Sequence, residues 1–161
     1  MATDLVIRPA VLQDGDAIWA MLEPVFRAGE TYAVDPNISR EAALEYWRSG
    51  RAYLAEAGGA PLGTFYIREN QKGGGDHVCN CGYVTARAAE GRGVARAMLA
   101  FSLDEAKRLG FEAMQFNFVL ADNIRAVETW RRAGFTEVGR LPRAFRKAGG
   151  HVDALILHRF L

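Results

Sequence analysis

Cysteine is scarce in this chain, with Cys79 and Cys81 the only two among 161 residues. One residue apart on a strand, they project from the same face and could be bridged only under strain. A disulfide-stapled fold is therefore excluded. A zinc site would want more ligands at characteristic spacing, and adding His77 would put all three on one strand, a poor tetrahedron. The expectation is two buried, reduced thiols and no metal. An excess of charge of one sign is also missing, since 20 Lys and Arg face 19 Asp and Glu. No net field would draw nucleic acid or an anionic membrane. Long apolar runs are absent, and none approaches the roughly 20 residues that span a bilayer. The opening "MATDLVIRPA" has no basic start followed by an apolar core, so it does not read as a secretory signal. No repeat, low-complexity run or linker interrupts the chain. These absences predict one domain over residues 1–161, cytoplasmic, with neither membrane nor nucleic acid as partner.

What is present is ordinary globular material, half apolar and a quarter charged. "DLVIRPA" alternates and ends at proline, which predicts a first strand. Asp14 and Asp16 offer caps for a helix to about Arg27, interrupted by Pro24. Ser39 caps a second helix, which Gly50 stops. Three strands follow, "RAYLAEA", "PLGTFYIREN" and "HVCNCGYVT", the first two joined by a hairpin turn. A helix of about 17 residues then runs to Gly110, with Val94, Met98 and Phe101 on one side and Ala95, Leu99, Leu103 and Ala106 beside them. "EAMQFNFVL" is the next strand, with Met114, Phe116 and Phe118 on one face. A helix starting at Asp122 or Asn123 and stopping at Gly134 precedes two closing strands. The first of these carries Pro142 and must be an edge, bulged or broken there. The order β-α-α-β-β-β-α-β-α-β-β predicts one parallel pair around the long helix within an otherwise antiparallel sheet. The fold class is α+β, an α/β sandwich.

The segment "TARAAEGRGVARAMLAF" carries the chemistry. A strand that runs out into "EGRGVAR" and then a helix leaves N–H groups unpaired at the helix start. Those donors and the helix dipole favour an anion such as phosphate. Gly91 and Gly93 permit close backbone approach, Ala95 keeps the first turn accessible, and Arg92 and Arg96 add charge. The same glycines would also serve a plain strand-to-helix turn with no ligand. A P-loop is excluded because no Lys-Ser/Thr pair follows the glycines. A dinucleotide fingerprint would place its third glycine at Arg96.

"GYVTARAAEGRGVARAML", followed a strand later by "NIRAVETWRRAGF", resembles the two cofactor motifs of the GCN5-related N-acetyltransferases. In the first, Glu90 stands where the family has Gln or Arg, and Gly93 and Ala95 fill the small positions. The second falls on Asn123, Ala126, Trp130, Gly134 and Phe135. Covering essentially the whole chain, the resemblance implies an acyl-CoA N-acyltransferase-like fold, with a mostly antiparallel sheet of about seven strands flanked by four helices. The loop "AGETYAVDPNISREAALEYW" and the tail from Gly139 are further similar to the bacterial branch that includes phosphinothricin and amino-acid acetyltransferases. Acetyl-CoA is the implied co-substrate. The N–H groups of Gly91, Arg92, Gly93, Val94, Ala95 and Arg96 would hold its pyrophosphate. Tyr83, Val84 and Thr85 would pair with the pantetheine arm like an added strand, where this strand and the next splay apart, and Asn123 would hydrogen-bond the arm. Arg131 or Arg132 would be at hand for the 3′-phosphate. Trp130 departs from the family's frequent Tyr, the acid that returns a proton to the departing thiolate, because an indole N–H is no acid at neutral pH. Glu90 would be unfavourable near a pyrophosphate unless it turns away or pairs with Arg87 or Arg92.

Acyl transfer needs a free amine and hence a base or a water leading to one. A strand N–H, that of Thr85 for example, could stabilise the thioester oxygen. In this branch the loop after the first helix contacts the acceptor. Glu30 is the expected base and Tyr32 the residue that orients the acceptor or donates a proton, against the plainer reading of a surface acid and a packing aromatic. His77 is a further base candidate. The expected acceptor is a small primary amine bearing a carboxylate or phosphinate that pairs with Arg143 or Arg146. The competing readings are a non-catalytic acyl-CoA sensor of the same fold and a dinucleotide-dependent oxidoreductase. A homodimer through a sheet edge is the expected assembly, with the segment around Pro142 a candidate surface.

Overall fold

The computed structural model describes residues 4–161. The elements are β1 (Val6–Pro9), α1 (Gly15–Ala28), α2 (Arg40–Trp47), β2 (Arg51–Ala57), β3 (Ala60–Glu69) and β4 (Val78–Thr85), then α3 (Val94–Arg108), β5 (Ala113–Leu120), α4 (Ile124–Arg132), β6 (Thr136–Lys147) and β7 (Gly150–Phe160). This is the predicted order. The seven strands form one sheet in the order β1-β2-β3-β4-β5-β7-β6, and only β4 and β5 are parallel. Local signals explain most boundaries. Ser39 Oγ accepts the Ala42 N–H at 3.1 Å and caps α2. Asn123 caps α4 in the same way. Pro24 does not break α1, which continues to Ala28 and ends on Gly29 in the left-handed conformation.

Helices cover both faces of the sheet. On one, Ile18, Leu22 and Phe26 of α1 and Leu44 and Trp47 of α2 bury against Leu54, Tyr66 and Val84. On the other, Val94, Met98, Leu99 and Ala106 of α3 and Val127 of α4 bury against Phe65, Met114, Phe116 and Leu157. The α3 stripe differs from the predicted one at Ala95, which is exposed, and at Ser102, which is buried. Ser102 is accommodated because its hydroxyl donates to the Leu99 carbonyl at 2.8 Å. Cys79 and Cys81 are free and buried, and burial raises the Cys81 thiol well above its ordinary value.

β6 lies at the edge of the sheet and breaks register between Leu141 and Phe145, around Pro142, as its missing N–H requires. A second irregularity corrects the expectation for β5. Its pairing with β7 shifts between Phe116 and Val119, so Val119 rather than Phe118 continues the packed face. Phe118 meets the ring of Phe145 instead, with centroids 6.2 Å apart. A bulge of this kind inverts the alternation downstream of it. Among the described residues no helix is long and apolar enough to cross a membrane.

Candidate active site

The site begins where β4 and β5 part. The two strands pair only at Val78 with Ala113 and Cys79 with Met114. Beyond that β5 follows β7, while β4 keeps its antiparallel register with β3 to Thr85. The cleft between them has a volume of about 510 Å³. Thr85, Glu90 and Asn123 line one end, Arg68 and Asn80 line the other, and Tyr32 of the α1–α2 loop lies alongside. From Asn80 to Thr85 is five strand residues, roughly 17 Å. The cleft therefore has two well-separated ends.

The phase of the β3–β4 ladder decides which backbone groups face the cleft. Ala86 N–H donates to the Leu62 carbonyl, so Val84, two residues earlier, also turns its main chain to β3. Tyr83 and Thr85 turn theirs to the open side, and the Tyr83 carbonyl accepts from the Tyr32 hydroxyl at 3.1 Å. Of the three predicted strand residues, Tyr83 and Thr85 thus offer main-chain groups to a ligand, while Val84 contributes lining.

At the Thr85 end the chain turns through Gly91 (φ 76°) and Gly93 (φ 80°) into α3. These left-handed conformations are cheap only for glycine. Arg92 N–H returns to the Ala89 carbonyl, and the first helical bond is Ala97 N–H to Gly93. Among the described residues, no backbone acceptor takes the N–H of Gly91, Gly93, Val94, Ala95 or Arg96. Val94 is buried beneath this loop, and Arg92 and Arg96 are exposed around it. A loop of open donors at the positive end of a helix of 15 residues is a geometry suited to an anion. Glu90 is exposed and lines the cleft, and among the described residues neither Arg87 nor Arg92 pairs with it.

Between the ends, Trp130 packs 5.4 Å from Tyr83 and 4.8 Å from Phe116, centroid to centroid. Tyr83 anchors its hydroxyl to Ser102 Oγ at 2.6 Å, and burial holds that phenol far above its ordinary range. Asn123 spends its side-chain oxygen on the Ala126 N–H at 3.4 Å, leaving its amide N–H groups for a ligand. Burial also lifts the Tyr32 phenol well above its ordinary range, so it keeps its proton at neutral pH. Its ring rests on Phe26 and Trp47.

Several predicted acceptor residues are not brought to the cleft. Glu30 is exposed and outside the lining, although its neighbours Thr31 and Tyr32 are in it. His77 is exposed near the start of β4. Arg143 and Arg146 are exposed on β6, where Arg143 N–H is bonded to Asp153. The residues that do form the far end are Tyr46, Tyr66, Arg68 and Asn80. They come from three elements and share no motif; sheet register brings Tyr66, Arg68 and Asn80 together, and α2 adds Tyr46. Arg68 and Asn80 are cross-strand partners. Tyr66 hydroxyl donates to Asn80 Oδ1 at 3.2 Å, and Asn80 Nδ2 donates to the Gln115 carbonyl at 3.0 Å. Among the described residues no three His, Cys, Asp or Glu side chains gather as metal ligands.

Residues 16–135 match the Acetyltransferase (GNAT) family. The chain belongs to the GNAT acetyltransferases. It is accordingly an acetyl-CoA-dependent N-acetyltransferase by class. N-acetyltransferase aca1 of Schizosaccharomyces pombe is 31% identical over 148 residues, covering 80% of this chain and 71% of that protein. A GCN5-related N-acetyltransferase structure from Kribbella flavida shares 38% identity and superposes with a TM-score of 0.93 over 98% of each chain. Two more distant structures share the fold. One is a putative phosphinothricin N-acetyltransferase at 21% identity, with a TM-score of 0.88 and coverage of 98% and 99%. The other is yncA of Salmonella typhimurium, solved with its cofactor acetyl-CoA, at 19% identity, TM-score 0.87 and coverage of 99% and 95%. The acetyltransferase architecture predicted from the two motifs is thus established.

Proposed function

We propose that this acetyltransferase moves the acetyl group of acetyl-CoA directly to the primary amine of a small, amino-acid-like acceptor. The observation that carries the reading is the cleft between β4 and β5 with open N–H groups of Gly91 to Arg96 at one end. On this reading those donors and the α3 dipole hold the pyrophosphate. The open-side main chain of Tyr83 and Thr85 and the amide of Asn123 hold the pantetheine arm and polarise the thioester oxygen. Acetyl-CoA itself supplies the activated acyl group.

The residues at hand constrain the proton transfers. An acceptor ammonium must lose a proton before its nitrogen can attack. Among the described residues, Glu90 is the sole carboxylate lining the cleft, it sits at the phosphate end, and no histidine lines it. Tyr32 keeps its proton and serves to orient rather than to abstract. The proton therefore leaves through water at the acceptor end. The departing thiolate is reprotonated the same way, which is undemanding for a thiol of ordinary pKa about 8.5. Trp130 is then no catalytic deficit.

The test is release of free CoA thiol from acetyl-CoA with panels of free amino acids, polyamines and peptides. Turnover of small amino acids, abolished in Gly93→Asp, is expected. Best activity on a polycation would sink the acceptor assignment, and tight acetyl-CoA binding without turnover of any amine would instead support a sensor.

A further inference from the structure

Among the described residues, the cation at the far end of the cleft has no counter-ion. Arg68 is half-buried and lines the cleft. Among the described residues no Asp or Glu pairs with it; its partners are neutral. It donates to Ser49 Oγ at 2.8 Å, to the Tyr66 hydroxyl at 3.1 Å, and at a long 3.4 Å to the hydroxyl and carbonyl of Tyr46. Its guanidinium lies 4.3 Å from the Tyr66 ring centroid and 4.8 Å from that of Tyr46. Its Nε–H has no acceptor among the described residues. A half-buried guanidinium without an anion is an incomplete charge pair, and its open Nε–H, beside the Nη2–H that the Tyr46 hydroxyl holds only at 3.4 Å, gives a carboxylate two adjacent donors once that long bond yields.

We propose that Arg68, steadied by Tyr46 and Tyr66, recognises the carboxylate of an α-amino-acid acceptor. This rests on the function proposed above and names its acceptor class. Position supports it. Arg68 leans back along β3 onto Tyr66, whose cross-strand partner is Gly82. The guanidinium therefore sits about one strand residue from Tyr83, where the open side of β4 begins to serve the acyl donor. A carboxylate there puts the α-amine of the same molecule toward the thioester. The tyrosines fit the role, because burial keeps the Tyr66 phenol protonated, so it adds no negative charge and accepts from Arg68 while it donates to Asn80 Oδ1. The neutral surroundings leave the end net positive, and Glu90 lies at the other end of the cleft. Arg143 and Arg146, the arginines first expected to do this, are on β6 outside the cleft.

The experiment uses the full chain with the twenty L-amino acids and the corresponding amino-acid amides. For wild type, kcat/KM is expected to favour the best acid over its amide by at least tenfold. In Arg68→Gln that ratio should collapse at least thirtyfold, with the acid's KM rising far more than its kcat falls. Arg68→Lys should recover part of the preference, since it keeps the charge without the fork. The Kd for acetyl-CoA by calorimetry should stay within about twofold, and melting curves verify folding. Equal losses for acid and amide in Arg68→Gln, no loss for either, or a wild-type preference for amides would overturn the proposal while leaving the acetyltransfer reading intact. If wild type turns over no amine, that reading fails on its own. Calorimetric titration of the CoA-loaded chain with the amino acids and their amides then decides the matter. A preference for acids that vanishes in Arg68→Gln upholds the site, and no preference overturns it.

Discussion

Adding one methyl group at Gly82 tests the acceptor end without removing a polar group. A Cβ there would stand 2.6 Å from Tyr66 Cε1 and 2.9 Å from both its Cζ and its hydroxyl oxygen. Carbon atoms settle at about 3.5–4.0 Å, so the ring must retreat by about 1 Å. It has little room to do so. Tyr66 is 3% exposed, is set edge-on against Trp47 at 4.9 Å, and has its hydroxyl bonded to Arg68 and Asn80. Overpacking of this kind costs about 1–3 kcal/mol, and displacing the hydroxyl adds a loosened charged hydrogen bond worth roughly 1.5–3 kcal/mol. The two overlap, and the net expectation for Gly82→Ala is about 2–3 kcal/mol of lost stability. Urea unfolding should show a lowered midpoint at unchanged slope. The KM for the acceptor should rise at least tenfold, well beyond any change in acetyl-CoA affinity, because the Gly91–Arg96 loop is untouched. Gly74 is the control, since nothing lies within 4 Å of a Cβ there, and Gly74→Ala should stay within about 0.5 kcal/mol of wild type. If Gly82→Ala matched this control in stability and in acceptor KM, the contact between Tyr66 and the site would have no energetic reality.

Two further outcomes follow from the charges. Asp14 accepts from Arg8 at 2.8 and 3.0 Å and from the Val11 N–H at 2.7 Å, and these bonds, Arg8 first, hold its carboxyl below the ordinary 3.8. The folded value being the lower one, its stabilisation is complete above about pH 4 and is lost as pH falls through the folded value. Asp14→Asn should therefore lower stability at pH 7 by about 1.5–3 kcal/mol and flatten the acid limb below pH 4, both read from urea midpoints. With no histidine or nearby carboxylate at the acceptor end among the described residues, log kcat/KM should rise with unit slope up to the acceptor's own amine pKa. A plateau beginning between pH 6 and 7 would instead reveal a protein base.

The element order and the glycine turn into α3 were legible in the sequence because their signals are local. Glycines that need positive φ, a capping Ser39 or Asn123, and a helical stripe are each written within a few residues. Phe118 was misassigned because a bulge depends on what β7 does opposite, which no window around Phe118 contains. Glu30 and Tyr32 looked like a pair by adjacency, yet in the loop they diverge, one outward and one onto Phe26 and Trp47. The acceptor end was illegible for the same reason on a larger scale. Arg68 and Asn80 meet only through the β3–β4 register, and Tyr46 reaches them from α2. The basic residues near the C-terminus are dense along the chain, but that density does not say which face of the sheet they serve, and Arg143 and Arg146 lie outside the cleft.

Trp130 packs where β4 and β5 part. Two strands that begin as a ladder keep pairing unless something occupies the gap. Here Tyr83 reaches across from β4 and Phe116 from β5, 6.1 Å apart and edge to face, and Trp130 fits against both. Phe135 stacks on the far side of Phe116 at 4.5 Å. Each such contact is worth roughly 0.5–1.5 kcal/mol beyond burial. Together they outweigh the few main-chain bonds that closing β4 onto β5 would recover, at about 1 kcal/mol each. A phenol at position 130 would fill less of that gap and would need a partner for its hydroxyl when buried. The indole stands where β4 and β5 cease to pair, and the open-side groups of Tyr83 and Thr85 keep no strand partner there. On the function proposed above, Trp130 packs the slot and supplies no acid, so proton return to the thiolate falls to water.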